Sequence, residues 1–122
     1  MLASSIIENW IVMGDFNDIA SVDEASPKAI GRFAQAQRFR DRLNDCGLHS
    51  KVSLGCAFTW IRKTNGRVTL REKLDRALFN FVALEAFPEA KLLNLPRLCS
   101  DHHPIMLCLD MLHSLTKSFK PL

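Results

Sequence analysis

Apolar residues fall along this chain in short runs and in spaced stripes, and each pattern predicts a different element. Ile11-Val12-Met13 is a short apolar run ended by Gly14, which predicts a strand buried on both faces. Ala36, Phe39, Leu43 and Cys46 recur at helical spacing between charged residues. They predict an amphipathic helix, with Gly47 placed to cap its end. Residues 2–8 read as the tail of another helix, and residues 52–56 as a short segment of undecided type. Residues 58–62 are strand-like and lead into Asn65-Gly66, a hairpin turn signal. The returning strand is expected over residues 67–78, with a break near Glu72. Asn80 stands where it can cap a short helix that ends before Pro88. Residues 91–95 and 105–109 read as further strands separated by a loop. The polar stretch 18–28 is a loop marked by Ser26-Pro27.

Strands mixed with helices, with a hairpin among them, predict an α/β or α+β fold with a mixed sheet. The length of 122 residues fits one domain, and no internal repeat or linker divides it. Residues 114–122 form a basic tail expected to be loose. The formal charge of +3 permits a polyanionic partner without demanding one. Cys46, Cys56, Cys99 and Cys108 form no Cys-x-x-Cys pair, so the spacing of a structural zinc site is missing. Each lies beside apolar residues and reads as a buried, reduced thiol, which favours a reducing compartment. No segment is long and apolar enough to span a bilayer. Residues 1–13 lack the basic start of a signal peptide. The expectation is an intracellular protein, nuclear or cytoplasmic, with no membrane partner.

Three polar clusters can carry chemistry. In Gly14-Asp15-Phe16-Asn17 an extended backbone would turn Asp15 and Asn17 to one face and Phe16 into the core. A carboxylate there can hold a hard cation or orient water, and an amide can donate to a phosphate oxygen. The alternative is a strand-ending Asx turn. Ser100-Asp101-His102-His103-Pro104 places a carboxylate and imidazole at the mouth of a strand, where they can serve a metal and a reacting oxygen. In Lys73-Leu74-Asp75-Arg76 the aspartate sits in an apolar setting and needs a partner. That partner is either a histidine, as in triads where a buried Asp fixes an imidazole, or Arg76 or Arg71 in a salt bridge. Phe58-Thr59-Trp60 reads as a packing element. Arg62, Lys63, Arg67 and Arg71 surround the hairpin and can contact phosphates by charge, or simply face solvent.

Taken in order, these pieces resemble the endonuclease/exonuclease/phosphatase superfamily, and especially the endonuclease domain of plant LINE-type retrotransposons. The resemblance covers Trp10 to Asn17, Phe39-Arg40-Asp41-Arg42-Leu43-Asn44-Asp45-Cys46-Gly47-Leu48, Phe58-Thr59-Trp60, and Arg71-Glu72-Lys73-Leu74-Asp75-Arg76-Ala77-Leu78. It continues through Phe87-Pro88-Glu89-Ala90, Leu95-Pro96-Arg97 and Ser100-Asp101-His102. It implies that Asp15 orients the attacking water, that Asn17 steadies the scissile phosphate, and that Asp101 is metal-associated. It also implies that His102 contacts the phosphate and that Asp75 holds that imidazole. His103 receives no catalytic role.

A full family domain is considerably longer, and its first half supplies an asparagine and a glutamate that hold the metal, with a tyrosine and a further histidine. The chain has no tyrosine. The resemblance therefore implies that residues 1–113 correspond to the C-terminal half of a four-layer α/β sandwich with a mixed, mostly antiparallel sheet. The implied cofactor is Mg²⁺ or Mn²⁺ and the implied partner is DNA. A half domain would also expose sheet edges through which copies self-associate. The function expected is that of a fragment of a metal-dependent, endonuclease-like phosphodiester hydrolase, weakly active or inactive alone. The alternatives are a non-catalytic relic that binds nucleic acid weakly and a phosphatase of the same superfamily.

Overall fold

The computed structural model describes residues 8–98 and 100–109. The expected helix at residues 2–8 and the basic tail lie almost wholly outside that range. Nine strands and two helices form an α+β fold among the described residues. The strands are β1 (Ile11–Asp15), β2 (Ala25–Ser26), β3 (His49–Ser50), β4 (Ser53–Gly55), β5 (Trp60–Thr64), β6 (Arg67–Glu72), β7 (Asp75–Phe79), β8 (Lys91–Asn94) and β9 (Ile105–Cys108). The helices are α1 (Phe33–Asp45) and α2 (Phe81–Ala86).

Three three-stranded sheets have the orders β1-β7-β3, β2-β6-β5 and β4-β8-β9. All pairings are antiparallel except β4 with β8. The expected returning strand does break, and the break moves the chain from one sheet to another. Strand β6 stays with β5, while β7 runs through the centre of the first sheet. All five residues of β7 are buried. Strand β1 corrects one expectation. It lies at an edge of its sheet and is half-buried with Met13 and Asp15 exposed, not buried on both faces.

The alternation of β7 divides the core. Ala77 and Phe79 pack with Ala83 of α2, Ala90 and Leu92, and Ile105 and Leu107 of β9 close that cluster. Arg76 and Leu78 alternate with them, and the Arg76 guanidinium lies 5.3 Å from the ring centroid of Phe39 on α1. A second cluster joins Ile19, Ala36 and Leu74 to Ala29 and Trp60.

Local signals are realised where hydrogen bonds close within a few residues. After α1, the Gly47 N–H donates to the Asn44 carbonyl and the Leu48 N–H to the Leu43 carbonyl, the paired bonds of a Schellman stop. The Asn80 side chain accepts from the Ala83 N–H at 2.9 Å and caps α2. Asn65 and Gly66 take φ of 53° and 77°, the pair of positive values that a two-residue type I′ hairpin needs. Cys46, Cys56 and Cys108 are free thiols but only half-buried, and Cys99 lies outside the described residues.

Candidate active site

Strand pairing places Asp15 directly opposite Asp75, at the last pair of the β1–β7 ladder. Side chains of an opposed pair leave the same face of a sheet with Cβ atoms about 5 Å apart. Two carboxylates so placed repel one another and call for a cation or a proton donor between them. His102 fills that need. Its Nδ1–H donates to Asp75 Oδ2 at 3.0 Å, and its Nε2 lies 3.6 Å from Asp15 Oδ2. The Asp75 side chain is 11 % exposed, whereas those of His102 and Asp15 are 38 % and 40 % exposed. One carboxylate is thus buried and committed to the ring, and the other is open to solvent. Of the two partners foreseen for Asp75, the histidine is the one it has. Arg76 points to the opposite face and pairs with Glu24.

The loop carrying His102 is tied down residue by residue. The Ser100 hydroxyl accepts from the His102 N–H at 3.1 Å. The Asp101 carbonyl accepts from the Ile61 N–H, and His102 bridges to Trp60 at the start of β5. The His103 Nδ1–H donates to the Leu95 carbonyl at 2.8 Å, which fits a structural rather than a chemical use of that ring.

Asn17 departs from the extended geometry expected of it. Strand β1 ends at Asp15, Asn17 has φ of 54°, and its N–H donates to Asp15 Oδ1 at 2.7 Å. This is the Asx turn that stood as the alternative, and Asn17 is an exposed residue at its tip. The turn still serves the site, because it holds Oδ1 of Asp15 and leaves Oδ2 facing His102. Phe16 packs as expected, with its ring 6.3 Å from that of Phe39. Gly14 has φ of 147°, which a side chain would strain, and the space where a Cβ would stand is open.

Asp15, Asp75 and His102 are the residues that could hold a metal ion, with one ligand atom from each within 4.8 Å of the others. Asp75 Oδ2 is engaged with Nδ1, which leaves Oδ2 of Asp15 as the solvent-facing carboxylate oxygen, with Nε2 of His102 facing it. A carboxylate oxygen suits a hard divalent ion, so Asp15 would be the residue to hold one beside the Asp75–His102 pair. Asp101 is exposed, and its carboxylate is not part of this cluster.

The basic residues Arg62, Lys63, Arg67 and Arg71 are all exposed on the β5–β6 hairpin. Ion pairs among the described residues involve none of them. The base of this hairpin is the Trp60–Ile61 segment that grips the His102 loop, so its cations begin within one strand length of the site.

Two contributors escaped the sequence reading. Ser100 was noticed only as part of its motif. Thr59 was read as packing between two aromatics, yet the burial is inverted: Thr59 is fully buried and Phe58 and Trp60 are half-buried. A lone hydroxyl residue between aromatics was the available signal. Compared with known proteins, the chain matches no family model, no curated protein and no solved structure.

Proposed function

We propose that the Asp15–Asp75–His102 cluster is the hydrolytic end of a metal-dependent phosphodiesterase centre of the endonuclease kind. The observation that carries this reading is the pairing of a buried Asp75 with His102 Nδ1, which leaves Nε2 facing an exposed carboxylate across 3.6 Å. Asp75 fixes the ring as its Nδ1–H tautomer, so Nε2 is the atom free to take a proton from, or return one to, a reacting oxygen. Oδ2 of Asp15 can accept from a water and aim it. The Asn17 amide, exposed one turn away, can donate to a phosphate oxygen. A bound divalent cation, Mg²⁺ or Mn²⁺ by resemblance, would supply positive charge against the phosphate.

The resemblance to retrotransposon endonucleases supports DNA as the substrate and assigns further metal ligands to another part of the family domain. On that basis the chain by itself is weakly active or inactive. Asp101 remains, by the same resemblance alone, the metal-associated aspartate, since its carboxylate is outside the cluster.

The test is metal titration followed by cleavage of supercoiled and abasic DNA. Mn²⁺ should broaden the NMR signals of Asp15 and His102 selectively, and slow nicking should require the metal and vanish in His102→Ala and Asp15→Ala. Absence of both the broadening and the nicking at millimolar metal would remove the proposal.

A second reading, non-catalytic binding of nucleic acid, is favoured by the four exposed hairpin cations. It predicts salt-sensitive DNA binding that Asp15→Ala leaves unchanged and that needs no metal.

A further inference from the structure

Thr59 stands where the two carriers of the Asp75–His102 hydrogen bond meet. Its Oγ1 accepts the backbone N–H of Leu74 at 2.9 Å and of Asp75 at 3.0 Å. Its carbonyl accepts the His103 N–H at 2.6 Å, and its own N–H donates to the Glu72 carbonyl at 2.9 Å. The residue has no solvent exposure.

The need for such a residue follows from the topology. Between β6 and β7 the chain changes sheet, and the residues of β3 that pair with β7 reach back only to Leu78. Leu74 precedes β7 and Asp75 opens it, and the N–H groups of both are met by the Thr59 hydroxyl. Buried N–H groups require an acceptor, and one hydroxyl oxygen with two lone pairs can serve both.

We infer that Thr59 is a positioning residue of the candidate site. Through its hydroxyl it holds the backbone of Asp75, and through its carbonyl it holds the backbone next to His102. One residue thereby sets both ends of the 3.0 Å contact. The imidazole keeps its Nδ1–H on Asp75 and its Nε2 toward Asp15 because neither backbone can move without breaking a bond to Thr59. This rests on the reading of Asp75 and His102 as a working pair, and it can be tested apart from hydrolysis.

Thr59→Val keeps the shape and removes the acceptor, whereas Thr59→Ser keeps the acceptor and removes a methyl group. The readout is the ring of His102, observed by proton and nitrogen NMR in the intact chain. The unmutated protein and Thr59→Ser should show the Nδ1–H proton and the Nδ1–H tautomer. Thr59→Val should lose that proton signal or exchange it with water at least tenfold faster. Leu92→Ala, a deletion in the core around Phe79, is the control for general loosening and should leave the signal intact. Should Thr59→Val fail to fold cooperatively, Thr59→Ala takes its place with the same expected outcome.

A measurement on the unmutated chain adds a second arm. The amide protons of Leu74, Asp75 and His103 should exchange no faster than those of Leu78 and Phe79 at the centre of β7. The inference is overturned if the hydroxyl-free variant keeps the ring proton at its original exchange rate. Equal loss of that proton in Leu92→Ala, or exchange of the three amides more than tenfold faster than in the strand centre, overturns it as well. An unmutated protein without the Nδ1–H proton would overturn both this inference and the proposed function. A ring proton present in the unmutated protein and kept in Thr59→Val would overturn this inference alone.

Discussion

The two faces of β7 carry two charge clusters built from adjacent residues, and they are opposite in character. On one face, Arg76 is 1 % exposed, its two terminal nitrogens are met by carbonyl and carboxylate oxygens, and its Nε is buried without a partner. Glu24 receives both of its terminal nitrogens, and the carbonyls of Asp18 and Lys73 accept from it as well. On the other face, Asp75 is buried, but His102 and Asp15 reach solvent and retain unused valences. A cluster that spends both terminal nitrogens of a buried guanidinium on oxygens from three other positions ties elements together. A cluster that leaves Nε2 and Oδ2 open at the rim can act on something else. The two clusters differ in where their open donors and acceptors lie: Arg76 Nε is sealed in the core, whereas Nε2 of His102 and Oδ2 of Asp15 are on side chains that reach solvent.

The largest expected effect tests the open cluster. In a metal-dependent cleavage assay, His102→Ala should lower the rate by roughly 10²–10⁴-fold, the usual worth of a positioned acid–base group. A loss under threefold would move the chemistry elsewhere. The closed cluster should respond in stability instead. Glu24→Gln leaves Arg76 buried without its carboxylate and should cost about 3 kcal/mol in chemical denaturation, near the low end for a broken buried pair because two carbonyls still accept. Cleavage per folded molecule should be unchanged.

The same pair gives a pH dependence. Burial raises the Glu24 carboxyl, but the Arg76 hydrogen bond and charge outweigh it and hold the group below its ordinary 4.5. The ionised form is thus favoured by folding. The stability it contributes is fully present above 4.5 and is lost as pH falls through the depressed folded value. Thermal unfolding from pH 6 to pH 3 should show a flatter acid limb in Glu24→Gln than in the unmutated chain.

Smaller effects sharpen the contrast. Asp15→Asn removes one of two opposed carboxylates and should leave the metal-free protein unchanged or more stable by about 0.5 kcal/mol, reduced by solvent screening. It should at the same time weaken the Mn²⁺ broadening of His102. A site residue whose loss stabilises the fold is the signature of function held against stability. On the hairpin, replacing Arg62, Lys63 and Arg67 by Gln should flatten the salt dependence of DNA binding. The slope of log K against log salt should become shallower by about 0.9 for each phosphate contact removed. An unchanged slope would assign those cations to a solvated face.

Much of the local architecture was legible because its causes lie close together in the chain. The helix at Ala36, Phe39, Leu43 and Cys46, its stop at Gly47, the Asn65-Gly66 turn and the Asn80 cap all stand as expected. The site was legible in its parts: Asp15, Asp75 and His102 stand out in their motifs, a histidine was one of two partners open to Asp75, and the resemblance implies that Asp75 holds His102. Three things were not legible. Asn17 was expected to continue the strand, but the Asp15 carboxylate captured its N–H and ended the strand there. Strand β1 was expected to be covered on both faces, yet an apolar run has the same appearance at an edge as at a centre. Thr59 has the pattern of a packing residue, and only the tertiary structure brings the N–H groups of Leu74 and Asp75 onto its hydroxyl.

By itself the sequence determined the elements and the chemistry available, because caps, turns and helical stripes close their hydrogen bonds within a few residues. Tertiary structure alone decided that Asp15 would face Asp75, that His102 would come between them, and that Arg76 would turn away to Glu24. The physical reason is register. A strand's pleat sends neighbours to opposite faces, and the pairing that fixes which face meets which partner depends on residues far apart in the chain.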